Sequence, residues 1–466
     1  MKRVESDFLG KVPVPKDAYY GAFTVRAMEH FKLSPHKIPA PLLRCLLLVK
    51  KASALANLEE GLLEKRVADA IAKACDEALE GKFDDQFVLD AFQAGAGTPY
   101  NMNANEVLAN RATELLGGKK GEYKIHPNNH VNMSQSSNDV IPTATRLACL
   151  FLWPELDPST QRLENAFSSK ANQFSKLVKP ARTHLQDAVP MTLGQEFASY
   201  ASAIRRSRKR MKEGFETLRE IHLGGTATGT GINTTPTYRK TVCRILSNLS
   251  RITLSPTKDA IELTQNHNDF LHAAHALTLL GTDLIRISTN LKLLSSGPKT
   301  GLGEITLPEV EPGSSIMPGK INPSIVEAAE MAAMHGIGSM HAVELSCQNA
   351  QLDLNSNTPL IAFELLSTMD LYAKTCAMLA DSCVNGITAN AKTMDRYINE
   401  STIAATALNP VLGYSEVSKL VQEALKKGKT VQDVVLEKKR LTKKQLDELL
   451  APERLTQPNL GVQKRA

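Results

Sequence analysis

The chain has 466 residues, enough for about three domains and a large buried core, and its 55 Lys+Arg against 49 Asp+Glu leave a formal charge of +6. That excess is mild, aromatics are only 5%, and the basic clusters Lys426-Lys427-Gly428-Lys429, Lys438-Lys439-Arg440 and Lys464-Arg465 are short and late, so nothing encodes a nucleic-acid surface. The cysteines include no Cys-x-x-Cys pair and read as core thiols of a reducing compartment. The N-terminus runs into acid, unlike a signal peptide, and residues 147–153, the densest apolar run, are too short to cross a bilayer; a cytoplasmic protein without metal or cofactor is expected.

Residues 1–38, punctuated by Pro13, Pro15 and Pro35, predict irregular chain. From Pro41 the pattern changes. Leu42, Leu43, Leu46, Leu47, Val49, Ala52 and Ala56 predict a helix apolar almost all round, and an alanine-rich helix follows over 65–79. The polar stretch Gly95-Ala96-Gly97-Thr98-Pro99-Tyr100-Asn101-Met102-Asn103-Ala104-Asn105 reads as a loop leading into a helix over 106–116. A second cluster, Ser134-Gln135-Ser136-Ser137-Asn138-Asp139, precedes an apolar segment over 141–152. Ser, Asn and Asp there suit a helix N-terminus, which presents free N–H groups and partial positive charge; they serve equally as plain caps or as an anion site.

Residues 141–390 read as long helices with short interruptions, one of them Pro180 to Ala188. Over 191–223 the basic series Arg205, Arg206, Arg208, Lys209, Arg210 and Lys212 is expected to face solvent or acidic neighbours. The loop from Gly224 to Thr234 contains Gly229-x-Gly231 but follows a helix and has Thr234 at the third glycine position, so it is no dinucleotide fingerprint. His267, His272 and His275 lie on one stretch without a third ligand at matching spacing and read as polar helix surface. Residues 360–387 predict a helix buried on nearly every face. Asn385-Gly386 reads as a left-handed cap, and Thr430-x-x-Asp433 and Thr442-x-x-Gln445 as capping boxes of short late helices. The expected organisation is all-α in three parts: 1–138 with polar active-site loops, 139–390 as a central bundle of long helices, and 391–466 as a small helical domain.

The run Gly313-Ser314-Ser315-Ile316-Met317-Pro318-Gly319-Lys320-Ile321-Asn322-Pro323 has two prolines, two glycines and no apolar period, so it is a loop carrying chemistry. Its hydroxyls, ammonium and carboxamide suit a small anion. It is not a phosphate loop, because Ser314 stands where the first glycine belongs and Ile321 where Ser or Thr belongs.

This string resembles the signature of the aspartase/fumarase superfamily, lyases that release fumarate by elimination across two carbons. Gly97 to Asn103, Ser134 to Asp139 and Thr183-His184 match the same pattern in the same order, so the resemblance covers almost the whole chain. It implies a homotetramer with a multi-helix core, in which each active site draws its segments from different subunits.

Elimination next to a carboxylate builds an enediolate-like dianion, so the site needs a base and many donors aimed at the growing charge. The resemblance implies Ser314 as the base, acting as an alkoxide, with His184 as the alternative base. It implies Lys320, Asn322 and Thr183 on one substrate carboxylate, and Thr98, Ser136, Ser137 and Ser315 on the other. Met317 also belongs to the substrate-binding set, His184 and Asn138 face the leaving group, and Glu327 orients His184.

Tyr19-Tyr20-Gly21, the run from Gln186 to Met191 and Leu408-Asn409-Pro410 resemble the aspartase branch, whereas Ser137, Glu311-Pro312 and Gly319 resemble the fumarases. The expectation is therefore elimination of ammonia from L-aspartate, with malate/fumarate interconversion as the alternative and a catalytically reduced scaffold as a third reading. Pro99, Lys299 and residues 355–359 depart from the family's usual text.

Overall fold

The computed structural model describes residues 1–458, and its architecture is helical, with strands only in short two-stranded pairings. Residues 1–38 are more regular than expected. Lys2–Asp7 (β1) and Gly10–Pro15 (β2) form an antiparallel hairpin in which Val12 and Val14 point inward while Pro13 and Pro15 face out. Both strands are edges, where proline's missing N–H is tolerated.

Ala22–His30 (α1) follows, and its start is gathered by buried Glu106, whose carboxylate accepts the N–H groups of Gly21, Phe23 and Thr24 and the Thr24 hydroxyl. Only glycine fits at position 21, since a Cβ would come within 2.2 Å of the Tyr123 hydroxyl.

Ala40–Glu59 (α2) and Lys65–Leu79 (α3) lie where the apolar pattern places them. Thr98–Leu115 (α4) starts well before Glu106, so the asparagine-rich stretch is helix and not loop. Pro99 sits in its first turn, where a backbone N–H has no intrahelical partner to lose. Asn101, Asn103 and Asn105 read as loop because they are polar, yet all three are buried.

Ser137–Gln173 (α5) runs through Pro142, Pro154 and Pro158. Val178–Thr183 (β3) and Gln186–Thr192 (β4) make a hairpin where a mere interruption was expected, and Leu193–Glu216 (α6) carries its Arg205, Arg206, Lys209, Arg210 and Lys212 exposed as predicted. Then come Tyr238–Ser250 (α7), Ala260–Gln265 (α8), Asn268–Leu294 (α9), Ser324–Gln348 (α10) and Thr358–Ser382 (α11). Ala391–Glu400 (α12), Asn409–Leu412 (α13), Tyr414–Lys427 (α14), Val431–Glu437 (α15) and Lys443–Leu449 (α16) are the short late helices.

Thr430 and Thr442 form the two capping boxes as expected. Val417, Leu420, Val434, Val435 and Leu446 bury a small core among these helices. Gly386 does not take a left-handed conformation; glycine is needed there because a Cβ would meet the Pro308 ring at 2.4 Å. The cluster Lys464-Arg465 lies outside the described residues.

By packing, the chain divides into two compact units. One comprises Met1–Pro158, Ser207–Thr282 and Ala333–Ala373; the other comprises Ser159–Arg206, Asp283–Ala332 and the chain from Lys374 onward. The long helices α5, α6, α9, α10 and α11 contribute residues to both. All seven cysteines are buried and unpaired, and no described helix is long and apolar enough to cross a membrane. His267 is not surface: it is 1% exposed and burial pushes its imidazole down to about 3, while His272 and His275 are exposed. Among the described residues no group of three or more His, Cys, Asp or Glu is placed to hold a metal.

Candidate active site

The first unit brings together the starts of α4 and α5. Ser136 Oγ accepts the Asn138 N–H at 3.3 Å, and Asp139 Oδ1 accepts the Ser136 N–H at 2.9 Å, a reciprocal cap. The capping role is therefore real, and it leaves the Ser136 hydroxyl proton free for a ligand. Asn101 Nδ2 donates to Ser137 Oγ at 3.1 Å, again leaving that hydroxyl's own proton available. Thr98 is the first residue of α4, and Gly97 before it lies so close to α5 that a Cβ would meet Ile141 at 3.0 Å.

Asn138 is fixed from two sides. Pro142 has no N–H for the Asn138 carbonyl four residues back, and His222 Nε2 takes that carbonyl at 3.0 Å. A carbonyl only accepts, so Nε2 carries the proton; burial together with nearby Arg146 holds the ring neutral, its pKa pushed down to about 3. Asn138 Nδ2 donates to the Ala227 carbonyl at 2.7 Å.

Asp139 Oδ2 accepts the N–H groups of Gly224 and Thr226 at 2.9 Å each. Burial pushes the Asp139 carboxyl up to about 6, opposed by these N–H groups and by Lys50. The glycine loop rejected as a nucleotide fingerprint thus buttresses α5.

Gly229 sits at φ +91°, and a Cβ there would stand 2.4 Å from the Ala260 backbone. Gly229→Ala is expected to destabilise the protein by about 3 kcal/mol, from the left-handed backbone plus the clash. Urea unfolding measures it, and a change below about 1 kcal/mol would show that the loop yields.

The second unit carries the other predicted residues. Thr183 pairs with Gln186 across the β3–β4 hairpin, leaving His184 and Leu185 as a two-residue turn with φ +58° and +60°. Such turns favour Asn and Gly, so His184 is held at the tip in a strained backbone, a cost typical of functional sites.

The Ser314 loop closes on itself. The Gly313 N–H donates to the Lys320 carbonyl at 2.8 Å and Asn322 Nδ2 to the Gly313 carbonyl at 2.7 Å. A Cβ on Gly313 would meet the Asn322 nitrogen at 2.6 Å, and Gly319 turns at φ +79°. Ser314 Oγ accepts the N–H groups of Ile316 at 3.2 Å and Met317 at 3.0 Å. The loop lines an open cleft of about 480 Å³ with Glu309, Glu311, Ser314, Met317 and Lys320.

Thr183, His184, Ser315, Met317, Lys320 and Glu327 are exposed in the single chain, and no hydrogen bond among the described residues joins His184 to Glu327. Asn322 commits one of its two amide N–H groups inside the loop and keeps the other. Lys50, Asn101 and His222 were not expected as supports, and Asp139 was expected only as a helix cap, not as the anchor of the Gly224–Thr226 loop. Pro142 and the Ser136-x-x-Asp139 spacing were the available signals for His222 and Asp139; a lysine within an apolar helix was the signal for Lys50. Asn355, in a stretch noted as unusual, plays a structural part. It is buried, and its amide caps the Ser346 and Cys347 carbonyls at the end of α10, while the Ser356 carbonyl accepts from Ala96 just before α4.

The fold is that of the helical lyases: the crystal structure of a fumarate lyase:delta crystallin from Brucella melitensis superposes with a TM-score of 0.95 at 44% identity, over 98% of this chain and 100% of that one. Residues 10–338 match the family described as Lyase and residues 405–457 that described as Fumarase C C-terminus. The chain belongs to this lyase family. An aspartate ammonia-lyase of Bacillus sp. is 42% identical over 99% of both chains, and a class II fumarate hydratase of Bacillus subtilis (strain 168) is 39% identical over 98% of this chain and 99% of its own.

Proposed function

We propose that the protein is an aspartate ammonia-lyase, interconverting L-aspartate with fumarate and ammonia. The observation that carries the chemistry is Ser314 Oγ receiving two backbone N–H groups, since donors aimed at an oxygen favour its ionised form. Ser314 as alkoxide takes a proton from Cβ, and the electron pair moves into the adjacent carboxylate to give an aci-carboxylate dianion. Collapse of that dianion breaks the C–N bond and expels neutral ammonia; the abstracted proton leaves from Ser314 to solvent, so ammonium and fumarate are the products.

Lys320, Asn322 and Thr183 hold one carboxylate, Met317 lines the pocket, and Thr98, Ser136, Ser137 and Ser315 hold the other. Asn138 and His184 face the departing amine, and Glu327 orients His184. The active unit is a homotetramer in the cytoplasm, with each site assembled from several copies. The exposure of Thr183, His184, Lys320 and Glu327 in the single chain supports this, because the mechanism needs those groups out of water. The unpaired thiols support a reducing compartment. Residues 1–138 and 139–390 supply the site, and 391–466 form a small separate helical domain.

The test is fumarate formation, followed by ultraviolet absorbance, from L-aspartate and L-malate offered in parallel. Signal from aspartate alone is expected. Signal from malate alone transfers the chain to the class II fumarases, and silence from both leaves the scaffold reading.

A further inference from the structure

Within α2, Lys50 and Asn57 lie seven residues apart on one face, and both are 0% exposed. Neither faces apolar core. Lys50 Nζ donates to Asn132 Oδ1 at 3.0 Å and Gln135 Oε1 at 2.9 Å, while Asn57 takes the Met133 carbonyl at 3.0 Å and the Ser134 hydroxyl at 2.7 Å. These amides fold the turn that leads into α5. Gln135 Nε2 reaches the carbonyls of Val131 and Met133, and Asn132 Nδ2 that of Gln135. Asn132 Oδ1 also accepts from Asn101, the residue that donates to Ser137 Oγ. A continuous chain of hydrogen bonds therefore runs from the buried Lys50 nitrogen to a hydroxyl assigned to the substrate carboxylate. The same turn holds Ser134 at φ +62°, a strained backbone that needs outside support.

An ammonium buried completely without a hydrogen-bonded carboxylate is costly, and an apolar side chain would fill the space more cheaply. Asp139 nearby offsets only part of that cost. Burial pushes Lys50 down to about 7, with Asp139 opposing, but charged or neutral its Nζ has the two N–H groups that these bonds use, so it holds both amide oxygens toward α2 and leaves both amide nitrogens to the turn and its carbonyls. That orientation sets where Asn101, Ser136 and Ser137 point.

We propose that Lys50 is a positioning residue for substrate binding, holding the Asn132–Gln135 turn so that Ser136 and Ser137 present their hydroxyl protons to a substrate carboxylate. The inference rests on the aspartate ammonia-lyase reading. Lys50 touches no reacting atom, so its loss acts on carboxylate binding more than on the chemical step.

The experiment compares wild type with Lys50→Met and Lys50→Gln in steady-state elimination of L-aspartate, with competitive inhibition by succinate as a reading of binding alone. Lys50→Met is expected to raise KM and the succinate inhibition constant by about 10- to 100-fold with kcat changed much less, and Lys50→Gln, which keeps a donor, to recover part of the loss. Unchanged KM in a folded Lys50→Met protein overturns the inference. So does failure of Lys50→Met to fold combined with wild-type KM in Lys50→Gln, which assigns Lys50 to stability alone. Wild-type protein that makes no fumarate from aspartate overturns the functional reading, and this inference with it. That result is distinct from fumarate formed with KM indifferent to Lys50.

Discussion

Ser314→Ala is expected to lower fumarate formation from L-aspartate by at least about 10³-fold while leaving the fold and assembly intact, since loss of a positioned base costs this much. The loop should survive because its closure rests on the Gly313 N–H to Lys320 carbonyl bond and on Asn322 Nδ2 to the Gly313 carbonyl, neither of which involves the serine side chain. The N–H groups of Ile316 and Met317, released from Ser314 Oγ, lie at exposed residues and can turn to water, so thermal unfolding should shift little. Substantial residual turnover would instead assign proton abstraction to His184. The two outcomes separate cleanly, because a histidine base would leave a pH profile governed by an imidazole, whereas an alkoxide base would vanish with its oxygen.

The long helices were legible because their apolar residues repeat at helical spacing, and the Ser314 loop because two prolines, two glycines and no period exclude any regular element. The supports of the site were not. Asn101 looks like a loop residue on composition, but its bonds to Asn132 and Ser137 override that preference and bury it in α4. The β3–β4 hairpin was hidden because its turn uses His184-Leu185, without the Asn-Gly chemistry by which such turns are recognised. His222 has no local signal of its own; its role follows from Pro142, which leaves the Asn138 carbonyl without its helical partner. In each case the local signal fails at a position held by the site, where local preference and tertiary requirement conflict.

Lys320→Met should lower kcat by about 10²- to 10³-fold, the loss typical when one donor to a developing oxyanion is removed. The side chain is exposed and makes no ion pair among the described residues, so no folding energy is tied to its charge. The expected division between kcat and binding follows from the charge change in the reaction. Aspartate presents a carboxylate of one negative charge, whereas proton abstraction places a second charge on the same group, so a nearby ammonium attracts the transition state more strongly than the substrate. Succinate never develops that second charge, and its inhibition constant should rise by only about tenfold in Lys320→Met. Lys320→Arg should fall between the two, because its planar fork does not place a compact charge at the same point on a loop closed through Gly313. If kcat and succinate binding instead weaken by the same factor, Lys320 only anchors the substrate, and stabilisation of the dianion passes to the hydroxyls at Ser136, Ser137 and Ser315.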